Sequence, residues 1–399
     1  MGEPQELQLE KLEANGAKHT NSLEENSFPC QMNQSIKISQ RKRYYLWLRI
    51  AVYATLALLG QSATTLLGRL YYENGGKSKW MATLVQVAGF PILLPYYHIS
   101  APKDLTENSF YHQNQPSKLV LTLVYVSLGQ LVTLNCYLNS AGLWFLPVST
   151  YSLICSSQLA FNAIFSYFLN SLKITPYIIN SLVLLTISSA LLVFQDESPD
   201  STQISNKKYV IGFIFTVAAS AGVGLGLSLT QFAFKNVIKR ENFKVIIDMI
   251  VYLSLVATCA SLVGLFASGE WKGLKKEIEG YETGKAAYIL NLAFTAIISQ
   301  LVTLGCTGLV FEVSSLFSNA ISVLGQHIVP ILAVMVFQDK MHGIKVISMV
   351  LAVWGFISYV YQQYLDECKS QTEDRSRIHH VPKTCSHLEK RVVDELSRL

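Results

Sequence analysis

Ten blocks of predominantly apolar residues follow one another along this chain, each close to the ~20 residues that carry a helix across the hydrocarbon core of a bilayer. They run from Leu46 to Leu67, Trp80 to His98, Leu119 to Leu138, Phe145 to Leu169, Tyr177 to Phe194, Tyr209 to Phe232, Val245 to Ala267, Ala287 to Val310, Ser315 to Phe337 and Ile344 to Tyr361. A bilayer core offers no water to backbone N–H and C=O groups, so such segments satisfy those groups internally, as helices. The pattern predicts an all-α polytopic membrane protein with ten transmembrane helices.

The fourth block bears on function as well as fold. The stretch from Leu146 to Asn170, LPVSTYSLICSSQLAFNAIFSYFLN, contains no charge yet is unusually polar for a span. At about 100° per residue, Tyr151, Cys155, Gln158 and Asn162 fall within one narrow arc. Hydrogen-bonding groups thus line one side of an apolar helix, which belongs against a protected polar space.

A second copy of this stretch exists. Leu146 to Ile174 lies over Ser314 to His342 at a shift of 168, with Gln158 on Gln326 and Tyr151 on Asn319. Upstream, QLVTL from Gln130 to Leu134 recurs from Gln300 to Leu304 at a shift of 170. Five spans per half would send the halves into the membrane from opposite sides. The expected layout is two inverted five-helix repeats, residues 44–206 and 207–363, between tails at 1–43 and 364–399. Carriers with inverted repeats hold substrate near the midplane, between the repeats. The site is therefore expected between blocks three, four, eight and nine. Gln130, Thr133 and Tyr137 share a face of the third block, as Gln300, Thr303 and Thr307 do of the eighth.

The net charge of +5 does not call for a nucleic-acid partner, because the basic residues sit mostly at block ends, where they set topology. Arg41, Lys42, Arg43 and Arg49 place the N-terminus on the cytosolic side, and an even number of spans returns the C-terminus there. Both tails are polar, and the first reads as disordered. The seven cysteines include no CxxC pair, so neither a disulfide framework nor a zinc site is expected. The hydrophilic start of the chain has no signal-peptide pattern. In block six, Ala218, Gly222 and Gly226 recur every four residues, a spacing that marks either a packing seam or a sliding contact.

Enzyme chemistry finds no support in the motifs. Gly76-Lys77-Ser78 resembles the end of a phosphate-binding loop, but Tyr71 stands where that loop needs glycine. Neither HExxH nor GxSxG occurs, and no catalytic, cofactor or metal residue is expected. Charges within or beside the spans are more informative, because a buried charge normally faces a cavity or a partner. Asp248 lies inside the seventh block, and Glu312 interrupts the apolar run between the eighth and ninth. Either offers a carboxyl for a transported proton; the structural alternative pairs Asp248 with Lys244 and makes Glu312 a cap near Ser314 and Ser315. His327, beside Gln326, is either a ligand contact or a satisfied core histidine. Arg69 reads as an interfacial arginine. Neutral amides, hydroxyls and aromatics suit a flat nitrogen heterocycle, with Trp80, Tyr137 and Tyr151 as stacking surfaces.

Several long runs also carry a resemblance. LLGRLYYENGGKSKWMATLVQVAGFPILL from Leu66 to Leu94, the stretch from Leu146 to Phe194, RENFKVIIDMIVYLSLVAT from Arg240 to Thr258 and VFEVSSLFSN from Val310 to Asn319 resemble the plant purine permease family of the drug/metabolite transporter superfamily. The likeness covers about residues 44–364, in order. It implies ten-helix carriers for proton-coupled uptake of adenine, cytokinin bases or related heterocycles at the plasma membrane. The proton is then the coupling ion, with no other cofactor. Trp80, Tyr151, Gln158, Asn162, Asp248, Glu312 and Asn319 stand where the family's pattern has them. Gln326-His327 departs from it, since members often carry an apolar residue and proline there.

The combined expectation is a small heterocyclic substrate bound between the halves by Trp80, Gln130, Tyr151, Gln158, Asn162, Gln300, Asn319, Gln326 and His327. Proton coupling falls to Asp248 or Glu312. One alternative changes the cargo to an alkaloid or another nitrogen heterocycle, and a second makes the protein a membrane sensor that binds ligand without moving it.

Overall fold

A computed structural model of the chain describes residues 44–95, 117–146, 154–172, 175–193, 206–239 and 243–337, together with Arg41, Tyr151 and scattered positions from 343 to 365. The expected tails lie outside the described residues apart from Arg41 and Leu365, and the tenth block is described only in part. The chain divides into two compact units, Met1–Tyr53 and Ala54–Leu399. All packing below belongs to the second.

Among the described residues every regular element is helical. In chain order they are α1 (Tyr44–Glu73), α2 (Lys79–Val87), α3 (Lys118–Phe145), α4 (Gln158–Asn170), α5 (Pro176–Val193), α6 (Asn206–Phe232), α7 (Phe243–Ala267), the short α8 (Leu274–Glu279), α9 (Lys285–Glu312) and α10 (Ser315–Phe337). A π-helical turn, Ala233–Ile238, extends α6. Among the described residues, five helices are long and apolar enough to cross a membrane: α1, α3, α6 with its extension, α7 and α9. Their outer faces present large apolar side chains such as Leu123, Phe213, Val263 and Ile289. A soluble fold would hide such surface, whereas lipid accepts it.

Proline and serine set the local breaks. Pro91 is the second residue of the 3-10 turn Phe90–Leu93 that follows α2. In the fourth block the sequence predicts one continuous helix, but the chain turns just before α4. The Ser157 N–H donates to the Ile154 carbonyl at 3.0 Å, three residues back, and its hydroxyl donates to the same carbonyl at 2.5 Å. A serine hydroxyl that competes for a helix carbonyl in this way disturbs the α-helical ladder.

Helix α6 is the packing centre, with its broadest contacts on α3 and α4. Residue pairs fix the directions: Gly142 meets Thr216 and Asn135 meets Gly222, so α3 and α6 run antiparallel. Ile154 meets Ser220 and Asn162 meets Ser228, so α4 runs parallel to α6. The small residues of α6 act as a packing seam. A Cβ on Gly222 would strike Asn135 Oδ1, and one on Gly224 would lie 2.7 Å from the Asn162 backbone nitrogen. Ala218, the third member of the expected stripe, is exposed.

Gly224→Val forces a side chain against backbone rather than a movable group, so it should destabilise the protein by ~1–3 kcal/mol. Gly273→Ala, where a Cβ meets nothing within 4 Å, should change little. Thermal unfolding of detergent-solubilised variants checks the contrast.

Candidate functional site

A cavity of about 330 Å³ lies among α1, α2, α3, α4, α6, α7, α9 and α10. Its size sits at the lower end of the ~300–1,000 Å³ typical of small-molecule sites. Its walls mix amides, hydroxyls, thiols and aliphatic carbon, and among the described residues no Asp, Glu, Lys or Arg lines it. Such a surface matches an uncharged, flat, hydrogen-bonding ligand better than an ion or a phosphate.

The repeated glutamines come together here. Gln158, at the first position of α4, and Gln326 of α10 both line the cavity, each almost fully buried. Tyr151 and Asn319, the other pair matched by the shift of 168, line it too. The Tyr151 hydroxyl donates to Asn139 Oδ1 at 3.1 Å. Asn319 Nδ2 donates to the Gln158 carbonyl at 3.0 Å, which fixes the orientation of the amide. Its Oδ1, fully buried, then has no hydrogen-bond partner among the described residues, and the same holds for Gln326 Oε1 and Ser299 Oγ. All three residues line the cavity, so they form a set of buried groups suited to a ligand's donors.

The other expected site residues lie elsewhere, each for a definable reason. Gln130 is exposed on α3. The lining positions of that helix, including Leu128, Val132, Asn135 and Asn139, project from nearly the opposite side. Thr133, on Gln130's side, bonds the Gly129 carbonyl and reaches the Ala257 carbonyl of α7. Gln300 is buried but packs beside Gly89, off the lining. Its face-mates Thr303 and Thr307 do line the cavity. Trp80 stacks on Tyr137 with ring centroids 4.4 Å apart and fills the space over Gly264, outside the cavity. Asn162 has no exposed surface and serves the helix junction: Nδ2 donates to the Ser315 carbonyl, while Oδ1 accepts from Ser228 and Ser166. His327 Nδ1 lies 2.8 Å from the Val323 carbonyl, an acceptor only, so that nitrogen carries the proton and the ring closes on its own helix. Asp248 and Glu312 are half-buried at the start of α7 and the end of α9, off the lining. Arg69 pairs with Glu73, one turn on, at 2.6 Å.

Some lining residues escaped the sequence reading although a signal was present. Gln61, Thr64, Thr65 and Gly68 of α1 recur at helical spacing within an apolar block, and all four line the cavity. The shift of 170 that pairs the QLVTL runs also pairs Cys136 with Cys306, both of them lining residues.

Known proteins resemble this chain along most of its length. A family model described as purine nucleobase transmembrane transport matches residues 48–369. The chain belongs to the purine permease family. Among its Arabidopsis thaliana relatives in that family, the protein named probable purine permease 10 is 56% identical over 91% of this chain and 92% of its own length. Purine permease 21 is 58% identical over 83% of this chain and 84% of its own length. A solved crystal structure shares the fold at 13% identity, with a TM-score of 0.51 over 78% of this chain and 97% of that one. Purine permeases are multi-pass membrane transporters, not enzymes, and the long apolar helices here fit that class.

Because Asn162 joins three helices of this permease and leaves the cavity to its neighbours, Asn162→Ala should lower thermal stability by ~1–3 kcal/mol. Gln130→Leu, at an exposed position, should leave stability unchanged. Unfolding curves of the two purified variants check both outcomes.

Proposed function

We propose that this permease imports purine bases, adenine and cytokinin-like derivatives among them, by proton-coupled alternating access. The single observation that carries this reading is the convergence of Gln158, Gln326 and Asn319 on one cavity that no charged side chain lines among the described residues, with buried acceptors left for a ligand. A purine ring offers N–H donors and ring-nitrogen acceptors on one flat frame, which amide and hydroxyl groups can meet in pairs. Family membership and the names of the relatives support the same substrate class.

The proposed architecture is ten spans in two inverted five-helix repeats, residues 44–206 and 207–363, with both tails in the cytosol. Support comes from positions paired by the sequence shifts, since Val132 and Val302, Cys136 and Cys306, and Gln158 and Gln326 all line the same cavity. The basic cluster from Arg41 to Arg49 supports a cytosolic N-terminus. Helix α1 then ends on the opposite side, at the plasma membrane's outer face. Asp248 and Glu312 remain the proposed proton carriers. Each flanks the cavity along its helix, Asp248 directly before Met249 and Glu312 five residues after Thr307.

Cells expressing the chain should accumulate labelled adenine and trans-zeatin, and a protonophore should abolish the accumulation. Asp248→Asn or Glu312→Gln should leave equilibrative exchange but remove accumulation against a gradient. Failure to take up either base contradicts the substrate reading. If both variants accumulate adenine as the parent does, proton coupling lies elsewhere.

A further inference from the structure

Beside the repeated glutamines, the cavity wall holds two further carboxamides, Gln86 of α2 and Asn139 of α3. Protein contacts fix how each is turned. Gln86 Nε2 donates to the Ala82 carbonyl at 3.0 Å and to Ser140 Oγ at 3.1 Å. A carbonyl only accepts, so the nitrogen lies on that side and Oε1 on the other. Asn139 Oδ1 accepts from the Tyr151 hydroxyl at 3.1 Å, with Cys155 Sγ 3.9 Å away, which turns Nδ2 from both. Among the described residues, neither Gln86 Oε1 nor Asn139 Nδ2 has a hydrogen-bond partner, and neither is sealed in the interior as Asn319 Oδ1 is.

The two amides sit at one level of the bundle. Gln86 is tied to Ser140, the residue after Asn139, and the Ser140 carbonyl accepts from Tyr72 of α1 at 3.1 Å. Helices α1, α2 and α3 are thereby joined around the pair. Tyr72 and Tyr151 both line the cavity, but their hydroxyl hydrogens are spent on protein. The amides then carry the oriented groups left for a ligand here: an acceptor, Gln86 Oε1, and a donor, Asn139 Nδ2.

The second half does not repeat the donor. The shift of 170 that sets Cys136 on Cys306 puts Asn139 on Leu309, an aliphatic side chain with no exposed surface. Gln158 and Gln326 are the same residue type at related positions, so by themselves they do not tell one edge of a base from another. A donor and an acceptor in fixed order within one half do. On adenine the exocyclic amine stands beside N7, a donor next to an acceptor on one rigid plane, and amide side chains pair with that edge. An N6-alkylated adenine keeps one amine hydrogen, and a second alkyl group removes it.

We infer that Gln86 and Asn139 orient the transported base: Gln86 Oε1 accepts the N6–H, and Asn139 Nδ2 donates to N7. The site then selects 6-aminopurines that keep at least one amine hydrogen. This inference rests on the purine-transport reading above and names the edge of the base that the cavity reads.

Competition against labelled adenine uptake in cells expressing the chain tests it. N6-methyladenine should compete nearly as well as adenine. N6,N6-dimethyladenine and 7-deazaadenine should each need about tenfold more, the cost of one unmet hydrogen bond in a closed site. Gln86→Met keeps the length of the side chain and loses the acceptor, so the dimethyl penalty should fall to about threefold or less while the 7-deaza penalty stays. Asn139→Ala should do the reverse. Each penalty is a ratio within one variant, so lower stability or poorer delivery to the membrane cancels, and a packing role for either amide would leave both ratios as in the parent. Where a variant shows no uptake, the same ratios are read as displacement of labelled adenine from the purified protein. A penalty that survives the loss of its own residue overturns the inference, as does equal competition by every analogue in the unsubstituted chain. Absence of adenine uptake by the unsubstituted chain overturns the transport reading instead.

Discussion

Two asparagine amides, each bonded to the other's helix, hold the interior of this permease in register. Asn162 of α4 donates to the Ser315 carbonyl of α10, and Asn319 of α10 donates to the Gln158 carbonyl of α4, both at 3.0 Å. Neither amide has exposed surface. A buried amide without partners is costly, so the pair resists any slide of one helix along the other. The bonds continue outward: Ser315 reaches Gln231 of α6, and Ser228 of α6 reaches Asn162. The same register brings Gln158, Gln326 and Asn319 to one cavity.

The two ends of the bundle around the cavity are held by different physics. At the end where α3 and α7 begin, Leu128 and Met249 belong both to the lining and to an apolar cluster with Tyr125, Phe234 and Val310. Apolar contact is non-directional and yields by degrees. At the other end, directional bonds converge on two carboxylates, Glu277 and Glu270. A bond geometry of that kind is either made or broken.

The sequence carried the membrane class and the paired glutamines because both are written in local pattern. Span length shows in ten apolar runs, and duplication shows in Gln158 over Gln326 without knowledge of any contact. What it did not carry was the direction each polar face points. Gln130, Thr133 and Tyr137 do share a side of α3, but periodicity cannot say whether that side meets the cavity or turns from it, and it turns away. Asn162 fell within the right arc of its helix, yet lies one turn beyond Gln158 and meets α6 and α10 instead. Glu277 lies among the lysines and glutamates of α8, a local pattern that does not announce burial. Its burial depends on Tyr71, 206 residues away, a separation invisible to local pattern.

The central claim, that purines occupy the cavity between α3, α4, α9 and α10, can be tested with the protein's own thiols. Cys136, Cys155 and Cys306 line that cavity, while Cys259 is exposed on α7 away from it. Purified protein is treated with N-ethylmaleimide with and without adenine, and modification at each cysteine is followed by mass spectrometry. Adenine should slow modification of the three lining cysteines and leave Cys259 unchanged. Equal rates with and without adenine at all four, or equal slowing at Cys259, would contradict the account.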